Sequence, residues 1–126
     1  MPKWDPATTP HFTREEMQCR CGCGACEMDQ KFMEGLEALR VAYGQSMVVK
    51  SGFRCPNHKD ERQKAKPGAH AQGLAADIRC IDGGNRHRLV KLALMAGFQG
   101  VGVGRSFVHI DDGHAYAARP AIWTYS

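Results

Sequence analysis

The chain has 126 residues, 43% of them hydrophobic and 24% charged, which is the composition of an ordinary soluble globular protein. This length suits one domain with a modest core of its own, so we expect a single domain over residues 1–126 that acts as a monomer. No apolar run approaches the roughly 18 residues of a membrane-spanning helix, which excludes membrane insertion.

The formal net charge of +4 is concentrated in the second part of the chain. Residues 1–50 hold 6 Lys and Arg against 7 Asp and Glu, whereas residues 51–126 hold 11 against 6. A basic surface suits an acidic polymer, either nucleic acid or an anionic bacterial wall. The densest charged run, residues 59–66, mixes both signs and has no interleaved aromatic residues, which is a poor signature of nucleic-acid binding. We therefore expect no nucleic-acid partner.

The N-terminal segment predicts an extended arm over residues 1–11, followed by a short helix. Its first residues lack the charged start and the apolar stretch of a secretory signal, so we expect a protein made in the cytoplasm. Thr13 and Glu16 have the spacing of a capping box, in which a hydroxyl group and a carboxylate satisfy backbone N–H groups at a helix start. This pattern predicts a short helix that runs into Met17.

Two longer helices are predicted from apolar residues that recur at helical spacing. The first starts at an Asp29 cap, runs through Tyr43 and ends at Gly44, since glycine suits the left-handed conformation of a C-terminal cap. The second starts at Asn85 and ends at Gly97. The apolar residues are Phe32, Met33, Leu36 and Leu39 in the first helix, and Leu89, Val90, Ala93 and Leu94 in the second. We expect the apolar stripe of the first helix to pack on a sheet.

Short runs of apolar and β-branched residues predict the strands of that sheet. They cover residues 46–51, 75–81, 101–104 and 107–111. Residues 55–68 are polar with two prolines as breakers, and they predict a long loop. Together the elements predict an α+β fold, in which a small antiparallel β-sheet has flanking helices on one side.

Crowded cysteines are a second informative feature. Four thiols fall within eight residues, at Cys19, Cys21, Cys23 and Cys26, and two more at Cys55 and Cys80. The two glycines among the first four predict a tight loop that braces the N-terminal helix. The thiols suit either disulfides in an oxidising compartment or a structural zinc ion in the cytoplasm. The spacing is not a standard four-cysteine zinc pattern, so a partner from Cys55 or Cys80 is plausible, and both alternatives stay open.

Two histidines and one aspartate predict a metal centre. His70 and Asp77 are separated by small residues and by Gly73, so a turn between them can bring both side chains to one ion. His109, in the strand-like run 107–111, supplies a third ligand. Two histidines and a carboxylate, with the fourth position left to water, form a catalytic zinc site. Zinc held there would lower the pKa of its water to around 7, which suits peptide-bond hydrolysis.

Asp111 is predicted to act beside this centre. Because side chains alternate along a strand, His109 and Asp111 lie on the same face. Asp111 is therefore expected to be the general base that takes a proton from the water. The other role that its position allows is to orient a ligand histidine.

These residues resemble the zinc D,D-peptidases of the peptidase M15 group. The shared motifs are Ser-Gly-Phe-Arg at 51–54, His70-x6-Asp77, Phe-x-His-x-Asp at 107–111 and Trp-x-Tyr at 123–125. The likeness covers about residues 12–125 and is nearest to compact bacterial and bacteriophage members. It implies a fold similar to that of the hedgehog signalling domain.

The resemblance also implies roles for individual residues. Arg54 is expected to face a substrate carboxylate or a developing oxyanion, which a guanidinium group can bind through two N–H groups. Related enzymes commonly place the base carboxylate three residues before the last histidine ligand, and Ser106 stands there in this chain. In an alternative alignment His114 is the third ligand and Asp111 the base. The Phe-x-His-x-Asp context favours His109.

The residues and the resemblance together predict a zinc peptidase that hydrolyses peptide bonds in bacterial peptidoglycan, of the D,D-carboxypeptidase, endopeptidase or endolysin type. We expect one catalytic zinc ion, with a second, structural ion on the cysteines as an open alternative. The rival prediction is a non-catalytic, zinc-containing module of the same fold that binds the cell wall or belongs to a phage structure. In both cases the expected partner is peptidoglycan, in the periplasm or the cell wall.

Overall fold

The computed structural model describes residues 3–61, 68–113 and 118–125, and within these ranges the chain forms an α+β fold. After a 3-10 helix, Pro6–Thr8, come the helices α1 (Arg14–Met17), α2 (Gln30–Tyr43) and α3 (Gly83–Met95). The strands are β1 (Val49–Ser51), β2 (Ala75–Arg79), β3 (Gly100–Val103), β4 (Phe107–Asp111) and β5 (Ala121–Thr124). None of these described helices is both long enough and apolar enough to cross a membrane.

The described strands form one sheet in the order β1-β2-β4-β3-β5. Strand β2 pairs antiparallel with β1 and β4, and β4 pairs antiparallel with β3. Strand β5 lies parallel to β3 at the edge of the sheet. The predicted α+β fold with an antiparallel sheet is therefore confirmed, with one parallel pair added at an edge.

Local capping signals explain why the first two α-helices start where they do. The Thr13 hydroxyl group accepts from the backbone N–H of Glu16, and the Glu16 carboxylate accepts from the backbone N–H of Thr13. Asp29 caps α2 by accepting from the backbone N–H of Phe32 at 2.8 Å. Helix α2 ends at Gly44, whose φ of 76° is left-handed. Both predicted helices are confirmed.

The third helix corrects one prediction. It starts at Gly83 instead of Asn85, because Asp82 is the N-cap and accepts from the backbone N–H of Asn85 at 2.8 Å. Of its predicted apolar face, Leu89 and Ala93 are buried, whereas Leu94 is 51% exposed. Its start was misplaced because two glycines follow the true cap, and glycine is a poor helix former.

Four other segments differ from the predicted limits. The runs 46–51 and 75–81 are strands only over Val49–Ser51 and Ala75–Arg79, and the run 101–104 is a strand over Gly100–Val103. Residues 3–11, predicted to be extended, contain the 3-10 helix and pack against the domain. There the Trp4 indole N–H donates to the Thr9 hydroxyl group at 3.0 Å, and both side chains are buried.

The core lies between one face of the sheet and the helices. Helix α2 contributes Phe32, Met33, Leu36 and Leu39; α3 contributes Leu89 and Ala93; and the strands contribute Ile78, Val101, Val108 and Ile110. Burying such apolar side chains stabilises the fold by roughly 1.5–3 kcal/mol for each large one. The opposite face of the central strands is left for polar side chains.

Candidate metal centre

The central strands place an aspartate and a histidine side by side on the face opposite the core. Asp77 on β2 is the register partner of His109 on β4. Their neighbours Ile78 and Val108 lie in the hydrophobic core, so alternation along each strand directs Asp77 and His109 to the other face. A slip of one residue would move both polar side chains into the core, so burial of the apolar ones fixes this register.

His70 reaches the same point from a turn that precedes β2. The turn requires Gly73, whose φ of 74° lies in the left-handed region. A Cβ atom there would collide with the backbone carbonyl oxygen of Glu27, so only glycine lets the turn pack this closely. The backbone N–H of Asp29 donates to the Gly73 carbonyl oxygen at 3.0 Å. The turn thus brings His70 beside Asp77, as its glycine predicted.

The three side chains converge on one small volume. Asp77 Oδ1 lies 3.3 Å from His70 Nε2 and 2.9 Å from His109 Nδ1. One ligand atom from each residue lies within 4.8 Å of the others. Tetrahedral zinc with bonds of about 2.0–2.1 Å to N and O keeps neighbouring ligand atoms roughly 3.3 Å apart. The separations of 3.3 and 2.9 Å therefore fit one zinc ion.

Hydrogen bonds to the remaining ring nitrogens orient both histidines. His70 Nδ1 donates to the backbone carbonyl oxygen of Gly52 at 2.7 Å. His109 Nε2 donates to Asp111 Oδ2 at 2.6 Å. These contacts leave His70 Nε2 and His109 Nδ1 facing Asp77, and these two nitrogens would present their lone pairs to a bound metal ion. Histidines that bind zinc in proteins have this arrangement, because the second nitrogen fixes the tautomer and the ring orientation.

Arg119 is a site residue that sequence reasoning missed. Its Nε and Nη2 atoms donate to Asp111 Oδ1 and Oδ2 at 2.9 and 2.8 Å. The backbone N–H of Gly113 adds a hydrogen bond to Asp111 Oδ1 at 3.0 Å. A Cβ atom at Gly100 would collide with the Asp111 carboxylate and with Arg119 Nε, so glycine at this position of β3 leaves room for the pair. Asp111 is fully buried, with both carboxylate oxygens in hydrogen bonds.

Two carboxylates, those of Asp77 and Asp111, contact His109 from either side, and their negative charge favours positive charge at this centre. Burial alone would raise the pKa of Asp77, but the contacts with the His109 and His70 rings outweigh burial and hold that pKa below its usual range. Burial alone would lower the pKa of His109, but hydrogen bonds to Asp111 and Asp77 raise it. Burial lowers the pKa of His70, which keeps that imidazole neutral and able to bind a metal.

Arg54 reaches the same centre from the segment after β1. Its Nη2 atom donates to Asp77 Oδ2 at 3.3 Å, and its Nε atom donates to Ser51 Oγ at 3.1 Å. Asp77 therefore offers Oδ1 to the histidines and Oδ2 to Arg54. This contact leaves the guanidinium group on the wall of the cavity beside the metal centre.

A cavity of about 420 Å³ opens over the three candidate ligands. Its wall consists of Arg54, Asp60, Gly68, Ala69, His70, Asp77, Phe107, His109, Asp111, Arg119, Trp123 and Tyr125. The Trp123 ring lies 5.4 Å from the His109 ring, and the Arg119 guanidinium lies 4.6 Å from the Trp123 ring centroid. A Cβ atom at Gly102 would come within 2.6 Å of Tyr125, so this glycine makes room for the aromatic wall.

Other predicted residues stand apart from this centre. His114, the alternative third ligand, lies outside the described residues, as does the part of the predicted loop at 62–67. Ser106, at the family position for the base, accepts a hydrogen bond from Lys50 Nζ at 3.2 Å through its hydroxyl group. A hydroxyl group with its ordinary pKa cannot replace a carboxylate as a general base.

The cysteines divide into a cluster and two separate thiols. The cluster, hereafter the cysteine cluster, consists of Cys19, Cys21, Cys23 and Cys55. Cys26 and Cys80 are buried but lie outside it. Burial would raise the pKa of Cys19, but hydrogen bonds from the backbone N–H groups of Cys55 and Cys21, together with thiol contacts, lower it to about 7. Of the two outlying cysteines, Cys55 therefore joins the thiols of the loop, because its sulfur lies among theirs, and Cys80 does not.

Comparison with known proteins agrees with this geometry. A family model described as Peptidase M15 matches residues 10–111. This span includes His70, Asp77 and His109, and also Arg54 and Asp111. No curated protein matches the chain significantly.

Proposed function

The chain belongs to the peptidase M15 family, whose members are zinc-dependent peptidases, and on this premise we propose that it hydrolyses peptide bonds in bacterial peptidoglycan. The observation that supports hydrolysis most strongly is the convergence of His70, Asp77 and His109 at the base of a cavity. A site with three protein ligands keeps a position for water, whereas a structural site is closed by four.

Each of the three residues would hold one position of a zinc ion. His70 Nε2, Asp77 Oδ1 and His109 Nδ1 would be the ligand atoms, because the other ring nitrogens are engaged with Gly52 and Asp111. Zinc bound there would lower the pKa of its water to about 7 and would act as a Lewis acid on the scissile carbonyl group. Strands β2 and β4 hold two of the ligands rigidly, which preserves the geometry during the reaction.

The contacts of Asp111 favour the orienting role over the role of general base. Arg119, Gly113 and His109 occupy both carboxylate oxygens, and the side chain is fully buried. Arg119 also compensates the negative charge that burial would otherwise penalise. A base must reach the water from which it takes the proton, which these contacts hinder. Asp111 therefore fixes the tautomer of His109, and Arg119 fixes Asp111.

Asp60 is then the best candidate for the proton acceptor among the described residues. It lies on the cavity wall, and its side chain is 50% exposed. A half-exposed carboxylate on this wall can reach water inside the cavity. Its backbone N–H donates to His58 Nδ1 at 3.1 Å, which ties this part of the loop to a buried side chain.

Substrate recognition is assigned to Arg54 and to the aromatic wall. The guanidinium group of Arg54 lies beside Asp77, where it can bind the terminal carboxylate or the polarised carbonyl oxygen of a peptide. Phe107, Trp123 and Tyr125 supply apolar area for small side chains such as the alanines of a stem peptide. The net charge of +4 favours binding to an anionic polymer such as the cell wall. The place of action would then be the cell wall or the periplasm.

The test is digestion of purified peptidoglycan, followed by mass spectrometry of the soluble fragments. The proposal predicts fragments that gain one water and end at a single type of peptide bond, whereas the His70→Ala variant releases none. His87→Ala is the matched control, since His87 lies on α3 and away from the centre. A folded wild-type protein that binds zinc and peptidoglycan but releases no fragment would favour the non-catalytic wall-binding module, which the serine at position 106 keeps open.

A further inference from the structure

The cysteine cluster is a second group of metal-ligating side chains in this molecule. One sulfur atom from each of its four residues lies within 4.8 Å of all the others, and Cys21 Sγ lies 3.3 Å from Cys55 Sγ. Four sulfurs bound to zinc at about 2.3 Å stand roughly 3.8 Å apart at the corners of a tetrahedron. The cluster is therefore as compact as a zinc–thiolate centre.

The loop between α1 and α2 is shaped so that three of these sulfurs meet. Gly22 and Gly24 have φ values of 99° and 73°, which side-chain-bearing residues rarely adopt. Gly22 turns the chain between Cys21 and Cys23, and Gly24 turns it directly after Cys23, where an extended strand would carry these cysteines apart. The backbone N–H of Cys19 also donates to the Ala25 carbonyl oxygen at 2.7 Å, which closes the loop.

Backbone N–H groups point at the sulfurs of the cluster. The N–H of Cys55 donates to Cys19 Sγ at 3.3 Å, and the N–H of Ala25 donates to Cys23 Sγ at 3.4 Å. Donors of this kind stabilise the negative charge that a thiolate keeps when it binds a metal. They also hold the sulfurs in place before an ion arrives.

We propose that Cys19, Cys21, Cys23 and Cys55 bind a structural zinc ion through four thiolates. Four protein ligands leave no position for water, so this ion has no part in hydrolysis. Zinc is favoured because soft thiolate ligands in a tetrahedral set select it over magnesium or calcium. Binding releases the thiol protons to solvent and couples the free energy of metal binding to folding.

Two disulfides are the chemical alternative, and the geometry favours the ion. In a pair of disulfides each sulfur needs one partner at about 2.05 Å, and no bond holds one disulfide close to the other. In the cysteine cluster all four sulfurs approach one another instead. The mutual approach of four sulfurs is the arrangement that one shared zinc ion would use.

The ion would connect the α1–α2 loop to the wall of the cavity. Cys55 directly follows Arg54, and its segment also carries the Gly52 carbonyl oxygen that accepts from His70. The backbone N–H of Phe53 donates to the Met17 carbonyl oxygen at 2.8 Å, which attaches the same segment to α1. Fixing Cys55 therefore fixes the neighbours that orient His70 and present Arg54.

The first experiment counts zinc in the full-length protein purified under reducing conditions. Wild type is expected to hold about two zinc ions per chain, and His70→Ala about one. Adding Cys23→Ser to His70→Ala should remove the remaining ion, whereas adding Cys26→Ser should not. Cys26 is the matched control because it belongs to the same loop but not to the cysteine cluster. A His70→Ala, Cys23→Ser protein that keeps full zinc occupancy overturns the proposal.

A second measurement needs no cysteine variant and so does not depend on its folding. Cobalt is added to metal-free His70→Ala protein, and the absorption spectrum is recorded. The proposal predicts intense thiolate-to-cobalt charge-transfer bands together with the visible bands of tetrahedral cobalt. In a parallel alkylation assay, four thiols should react slowly until a chelator is added. A spectrum without thiolate bands, or an intact mass lower by the hydrogens lost in disulfides, overturns it.

Discussion

The metal centre and the cysteine cluster differ in the number of ligands that the protein can supply and in the elements, strands or a loop, on which those ligands lie. The metal centre offers three candidate ligands, two of them on the central strands, and it faces a cavity. The cysteine cluster offers four candidate ligands, three of them in one tight loop. One metal could serve both sites, but only a site with an open position can activate water. Ligand number thus separates a chemical role from a supporting one.

The largest effect should follow from removing a ligand of the metal centre. His70→Ala is expected to lose the cavity zinc and to lower turnover by a factor of at least about 10³, because the Lewis acid is gone. Zinc analysis and kinetics on a wall-derived peptide measure both losses. The zinc on the cysteines should remain, and retention of both ions would contradict the assignment of His70.

Asp111→Asn tests whether this residue orients a ligand or acts as the base. As an orienting residue, it should lower zinc affinity by about 10–100-fold, and turnover should recover at saturating zinc. As the base predicted from the sequence, it should lower turnover by about 10²–10⁴ with zinc retained. We expect the first outcome, because Arg119 and Gly113 occupy the Asp111 oxygens. Asp60→Asn is the companion variant, expected to lower turnover without a loss of zinc.

Arg54→Lys should have a smaller effect, restricted to substrate use. Lysine keeps the charge but cannot make two parallel hydrogen bonds to a carboxylate, so kcat/KM should fall by about 10-fold to 100-fold. Zinc content should stay at the wild-type value. Loss of zinc from this variant would show that the contact with Asp77, at 3.3 Å, holds the ligand rather than the substrate.

The smallest effect on turnover is expected from the cysteine cluster. Replacing Cys21 and Cys23 by serine should lower Tm by at least about 5 °C, because the folded state loses a bound ion. A chelator that spares the cavity zinc should lower Tm in wild type and in Cys26→Ser, but not in the double variant. A collapse of turnover with unchanged Tm would instead place the loop in the catalytic site.

Features with local causes could be predicted from the sequence. The capping residues and Gly44 set the limits of α2, and alternation along β4 placed His109 and Asp111 on one face. Gly73 indicated the turn that brings His70 to Asp77. In each case the residues that determine the structure lie within a few positions of it.

The features that could not be predicted depend on contacts between distant segments. Arg119 meets Asp111 only because β5 returns parallel to β3, and Ala121–Thr124 is too short to predict that pairing. Cys55 joins the thiols of the α1–α2 loop across 34 positions in sequence. The backbone carbonyl oxygen of Gly52 orients His70, and the sequence cannot indicate this contact, since every residue has a backbone carbonyl group.

The most direct test measures peptidoglycan hydrolysis and zinc content on the same samples of wild type, His70→Ala and Cys23→Ser, at a temperature where all three are folded. The account predicts that both variants hold about one zinc ion, and that only Cys23→Ser still releases peptide fragments. Release of fragments by His70→Ala at the wild-type rate would contradict it, because hydrolysis would then not depend on the metal centre.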